Sequence, residues 1–191
     1  MEQDLRTDEA LMFAYRDGEA RAFEVLYARW RGPLYRYFLR QCGHAGQADE
    51  LYQDVFMRVI GAAAGYVATA KFATWLFRIA HNRMIDHRRK TGREPVDALT
   101  PSGDAEDCAF DPPGPADATP ERRAEQRDLS AALIAALNEL PEVQREAFLL
   151  AEEGGLTLQE IASVCGVGRE TIKSRLRYAT AKLRNKLESW R

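Results

Sequence analysis

A chain of 191 residues, 46% hydrophobic and 29% charged, is long and apolar enough to build one or two small folded domains. No apolar run approaches the roughly 18 residues that a membrane span needs. The N-terminal MEQDLRTDEALMF lacks the basic-then-apolar order of a signal peptide, and the three scattered cysteines (Cys42, Cys108, Cys165) argue against a disulfide framework or a paired-cysteine zinc site. A cytoplasmic protein without membrane insertion is therefore expected, and its net charge of −2 does not by itself suggest a nucleic-acid partner.

The first elements read as helices. Phe23, Leu26, Tyr27, Trp30, Leu34 and Phe38 recur at helical spacing, with Pro33 expected to kink or restart the helix. GHAG breaks the pattern. A second helix follows, with Leu51, Tyr52, Val55 and Val59 on one face. GAAAGYVATAK reads as a loop. Phe72, Trp75, Leu76, Ile79 and Ala80 then mark a third helix that runs into HNRMIDHRRK. No alternating pattern suggests strands.

Thr91–Glu121 is rich in Pro, Gly, Asp and Ala and has no period, so it reads as a flexible linker. Thr119-Pro120 opens a further helix carrying Leu129, Leu133, Ala136, Leu137 and Leu140. Pro141 starts the next, and Gly154-Gly155 stops it. Thr157 and Glu160 have capping-box spacing ahead of a short helix that ends near Cys165. Gly166 gives the turn, and a long helix starts near Arg169. The whole is an all-α chain: two small helical domains, residues 1–90 and 121–191, joined by an acidic linker over 91–120.

The charge is unevenly placed. Residues 1–90 hold 14 Lys/Arg against 11 Asp/Glu, residues 91–128 hold 4 against 10, and residues 129–191 hold 9 against 8. The acidic middle hides two basic stretches, Arg78–Arg93 and Arg169–Arg191, and local fields decide whether a surface attracts phosphate. The second stretch has the form of a helix-turn-helix. Ala162 is small at the crossing, Gly166 tolerates the turn, and Ile172 anchors the second helix. Ile172, Leu176, Ala179, Leu183 and Leu187 form its inward stripe. Glu170, Thr171, Lys173, Ser174, Arg177 and Tyr178 fall opposite and suit base edges or phosphates in a major groove. Arg175, Lys182, Arg184 and Lys186 suit phosphate contacts or solubility.

Two further stretches, QADELYQDVFMRVI and KFATWLFRIAHNRMIDHRRK, resemble diagnostic segments of bacterial RNA polymerase sigma factors, and LPEVQREAFLLAEEGGLTLQEIASVCGVGRETIKSRLRYATAKLRNKL resembles their promoter-binding C-terminal domain. The order and distance fit the compact extracytoplasmic-function type. The resemblance implies that Asp49, Glu50, Gln53, Asp54 and Phe56 belong to a surface docking on core RNA polymerase, where acidic side chains suit a basic partner helix. It implies that Lys71, Thr74, Trp75, Arg78, His81, Asn82, Arg83, Arg88 and Arg89 read and open the −10 promoter element by stacking and by phosphate and base contacts. Trp75 also lies on an apolar stripe, so core packing is an equal reading for it. The −35 element then falls to Arg169, Glu170, Thr171, Lys173, Ser174, Arg175, Arg177, Tyr178 and Lys182. An anti-sigma factor is a further expected partner, and the acidic linker either imitates a polyanion in the polymerase or serves as a tether.

An enzyme is not expected. His44, His81 and His87 have no metal-ligand spacing to the cysteines or to each other, and no phosphate loop, nucleophile elbow or catalytic triad is present. No catalytic residue, metal, cofactor or small-molecule substrate is assigned. The alternative is a dimeric helix-turn-helix repressor or activator that binds DNA without polymerase.

Overall fold

The computed structural model describes residues 4–92 and 120–188, except for the side chains of residues 120, 121 and 123–128. Every regular element among the described residues is helical. The expected linker falls largely on residues 93–119, outside the described part.

The apolar spacing begins at Phe23, yet a first helix, α1 (Asp8–Arg16), precedes it. Thr7 caps α1 by accepting the Ala10 N–H, and Asp8 and Glu9 complement the helix dipole in its first turn. α2 runs unbroken from Ala20 to Cys42, so Pro33 neither ends nor restarts it. The turns on both sides of Pro33 are pinned: Leu26, Leu34, Tyr37 and Phe38 are fully buried, and tertiary packing outweighs the lost backbone hydrogen bond. Gly43 stops α2 in the left-handed conformation, φ 71°, which explains the break at GHAG.

α3 (Ala45–Ala62) is followed by a single 3-10 turn, Ala63–Gly65, and then by extended chain. Tyr66 in that connection is buried, with its ring against Phe13, Phe72 and Trp75. α4 (Phe72–Lys90) has no side-chain cap of its own, but Glu9 of α1 accepts the Phe72 N–H at 2.6 Å. Phe72 and Phe77 point inward and meet the Trp30 ring of α2.

The C-terminal half comprises α5 (Pro120–Asn138), α6 (Glu142–Glu152), α7 (Leu158–Cys165) and α8 (Arg169–Lys186). Leu137 and Leu140 are buried as expected, but Leu129 is exposed. The buried side of α5 begins about one turn later, where Leu133 packs against the core and Ala136 and Leu137 are buried. The Thr157 capping box forms in full: Thr157 accepts the Glu160 N–H, and Glu160 accepts the Thr157 N–H at 2.8 Å. Gly166 turns the chain at φ 67°, and Ile172, Ala179 and Leu183 of α8 are buried on the expected stripe. Leu176 and Leu187 are half-buried at its edge.

The hydrogen bond from the Thr157 N–H, with that from its hydroxyl and the contact with Lys71, holds the Glu160 carboxyl below its ordinary 4.5. A carboxyl with a depressed folded-state value stabilises the protein above the unfolded value, and this contribution is lost as pH falls through the folded one. Thr157→Ala is expected to lower stability by about 1 kcal/mol at neutral pH. The deficit should shrink below pH 4.5 as Glu160 protonates in both proteins, as read by urea denaturation at two pH values.

Candidate nucleic-acid interface

α8 presents its polar face outward. Arg169, Glu170, Thr171, Lys173, Arg177 and Tyr178 are exposed, while Ser174, Arg175 and Lys182 are half-exposed. The Arg177 guanidinium lies 5.0 Å above the Tyr178 ring. Glu170 is paired with Arg169 and Lys173 along the helix start. Lys182 donates to the Glu139 carbonyl and Lys186 pairs with the Glu139 carboxylate, so both ends of that group are tied to the α5–α6 turn.

α3 also turns a polar face outward: Asp49, Glu50, Gln53 and Asp54 are exposed. Phe56 does not share it. Its ring is buried against Phe23, Tyr27 and Tyr52, because position 56 falls on the inward stripe beside Val55 and Val59. Asp54 accepts from Arg83 of α4 at 2.7 Å, which joins two residues expected to serve different partners.

α4 departs most from expectation. Lys71, Thr74, Arg78, His81 and Arg88 recur at three- to four-residue multiples along one face, and that face meets the C-terminal half. Lys71 pairs with Glu160, Arg78 donates to Ser163 Oγ at 2.7 Å, His81 Nδ1 lies 2.7 Å from Glu146, and Arg88 lies 3.7 Å from Glu142. Thr74, His81 and Arg88 are buried, and the Thr74 hydroxyl has no hydrogen-bond partner. These three side chains, expected to meet DNA, are covered by protein. Trp75 packs on Tyr66 and Phe72, the core-packing alternative. Asn82 and Arg89 remain exposed.

Sequence reasoning missed the residues that cover α4. Glu146, 6% exposed, accepts from the Tyr37 hydroxyl of α2 at 3.1 Å as well as facing His81. Burial pushes the Glu146 carboxyl up, but the hydrogen bonds with His81 and Tyr37 and the nearby Arg88 charge outweigh it and hold it below its ordinary value. Burial beside Glu146 raises the Tyr37 hydroxyl and pushes the Cys165 thiol up to about 12. Glu153, also buried, is clamped by Arg36 and Arg40 of α2. The available signal was the spacing Glu146, Leu149, Leu150, Glu153: two carboxylates on an otherwise apolar stripe.

Comparison with known proteins decides what these helices belong to. A family model for sigma-70 region 2 matches residues 26–94, and one for sigma-70, region 4 matches residues 130–183. The ECF RNA polymerase sigma factor RpoE of Cereibacter sphaeroides is 36% identical over 184 residues, 94% of each chain. The protein is an extracytoplasmic-function sigma factor. The RNA polymerase sigma-H factor of Pseudomonas aeruginosa is similar too, 30% identical over 171 residues and 88% of each chain. Among solved structures, CnrH in complex with the cytosolic domain of CnrY matches with TM-score 0.66 at 25% identity, over 95% of this chain and 97% of that one. The sigma factor RpoE in complex with the anti-sigma factor NepR from Bartonella quintana shares the fold, TM-score 0.67 at 24% identity, over 90% of this chain and all of that one.

As a sigma factor the chain directs RNA polymerase to promoters, and the family is non-enzymatic. No helix among the described residues is long and apolar enough to cross a membrane.

Proposed function

We propose that the sigma factor divides its task between residues 1–90, which dock on core polymerase through α3 and read and melt the −10 element through α4, and residues 121–191, which hold the −35 element through α8. Residues 91–120 join them, and the protein acts in the cytoplasm. The observation that carries this reading is the exposed basic face of α8 opposite a fully apolar stripe, which suits a duplex major groove. The buried face of α4 gives the reading a second part: the arrangement described is a resting, closed form, and the two halves separate before α4 meets DNA. The unpartnered Thr74 hydroxyl fits a contact made to open, since a buried hydroxyl without a partner costs about 1–3 kcal/mol. An anti-sigma partner, of the kind found in the complex of the sigma factor RpoE with NepR from Bartonella quintana, would suit this reading by favouring the closed form.

Core polymerase, promoter DNA and the purified protein test the assignment. Specific transcription should appear only when all three are present. No transcription, together with tight binding of a palindrome by the protein alone, would instead select the dimeric repressor. In the same assay Asp54→Ala should weaken polymerase docking about two- to fivefold, since it removes a charge at the rim of the contact. Duplex −35 binding should be unchanged, and an equal loss of both would mark misfolding.

A further inference from the structure

The buried cluster between the two halves has the composition of a metal site. A ring nitrogen of His81 on α4, a carboxylate oxygen of Glu146 on α6 and Cys165 Sγ at the end of α7 all lie within 4.8 Å of one another. His81 and Glu146 are buried and Cys165 is half-buried. Nitrogen, oxygen and sulfur in one shielded place suit a borderline-soft divalent ion better than calcium or magnesium, which prefer oxygen alone. With bonds of about 2.0–2.3 Å at tetrahedral angles, such donors stand about 3.3–3.5 Å apart. The His81–Glu146 contact, now 2.7 Å, must open by about half an ångström. The widest separation must close by about 1.5 Å at most, within the range of side-chain adjustment.

We propose that His81, Glu146 and Cys165 bind one divalent transition-metal cation of the zinc class, with a solvent molecule as fourth ligand. One imidazole, one carboxylate and one thiolate carry two negative charges, which the ion neutralises as the thiol proton leaves to solvent. Tyr37, hydrogen-bonded to Glu146, orients the carboxylate from the second layer. Arg88 hydrogen-bonds to Gln41 and Arg145 to Asn138, so both guanidinium groups face Glu146 by charge and leave its ligand oxygens to the ion. No sequence spacing announces the site because its ligands come from three helices, 65 and 19 residues apart along the chain.

The site is divided between the two halves. His81 belongs to the −10 helix, Glu146 and Cys165 to the C-terminal half, so the complete donor set exists only in the closed form. The inference therefore rests on the closed resting state proposed above. An ion that binds one state alone shifts the equilibrium by mass action: at a hundred times its Kd it lowers the open-to-closed ratio about a hundredfold. Metal would then hold the sigma factor off its promoter.

The test uses the full chain carrying Cys42→Ser and Cys108→Ser, so that Cys165 is the sole thiol. Chelator-treated protein is titrated with Co²⁺ and the bound ion is displaced by Zn²⁺. One equivalent should bind and give a near-ultraviolet thiolate-to-cobalt charge-transfer band. Adding Cys165→Ser should abolish the band, and adding Glu146→Gln should weaken Co²⁺ at least tenfold, with circular dichroism unchanged in both. Absence of the band in the single-thiol protein, or its survival without Cys165, overturns the site. Small-angle X-ray scattering on the same samples separates this failure from that of the closed state. A compact chelated protein with no cobalt band leaves the closed form standing and removes the metal. An expanded profile with and without Zn²⁺ removes both.

Discussion

Replacing Arg177 by alanine is expected to weaken binding to a −35 duplex about 5- to 150-fold, the range for one good arginine contact to a base pair. Affinity for core polymerase should not change, because Arg177 is on the opposite half of the chain from α3. The residue is exposed on the outer face of α8, and its guanidinium already lies over the Tyr178 ring at 5.0 Å. Stacking of this kind holds the planar fork in place before DNA arrives, so less side-chain entropy is lost on binding. Lysine keeps the charge but not the fork. Arg177→Lys should therefore recover little discrimination between promoters if Arg177 reads a base, and most of the affinity if it only meets a phosphate. Salt dependence makes the same distinction. A lost phosphate contact lowers the slope of log affinity against log salt by about one and weakens all sequences alike. Unchanged −35 affinity in Arg177→Ala would remove the outer face of α8 as the reader.

That face was legible in the sequence because one periodicity separates it from the core. Ile172, Ala179 and Leu183 must be buried, and 100° per residue then places Lys173 and Arg177 outside. The same logic found the core side of α4, where Phe72, Leu76 and Ala80 are buried. It failed for the other side. Polar residues at helical spacing look solvated, and nothing local in Thr74, His81 or Arg88 reveals that another domain covers them. The residues that meet this face, Glu142, Glu146 and those of α7, are more than 50 residues away along the chain. Phe56 failed for a simpler reason. It belonged to the Leu51, Val55, Val59 stripe and was assigned to docking through resemblance, against its own periodicity. α1 was missed because its buried residues, Leu11 and Met12, occupy a single turn, too short to show a period.

Glu146→Ala is expected to make the free protein bind promoter DNA more tightly, the opposite of what removing a buried hydrogen-bonded group does to most proteins. Glu146 is rooted in α6, but its carboxylate is spent on the other half of the chain, on Tyr37 and His81. Its loss leaves both without a partner in the closed form only. Each unsatisfied buried group destabilises that form by about 1–3 kcal/mol, so the pair favours opening by at least about 2 kcal/mol, roughly thirtyfold in the open-to-closed ratio. The core of the C-terminal half keeps Ala147, Leu149 and Leu150, so α8 stays folded and able to bind. With chelator present, scattering should show expansion, and −10 single-strand affinity should rise as Thr74 and Arg88 are uncovered and Lys71 and Arg78 are released from Glu160 and Ser163. Tyr37→Phe removes one hydroxyl while keeping the ring that packs on Phe38 and Phe77, and should act in the same direction by a smaller factor. A purely structural Glu146 predicts lower DNA affinity, lower thermal stability and an unchanged compact profile. Those three results together would rule out Glu146 as a tie that holds the closed form, because a group that only supports its own domain has no means of increasing DNA binding when it is removed.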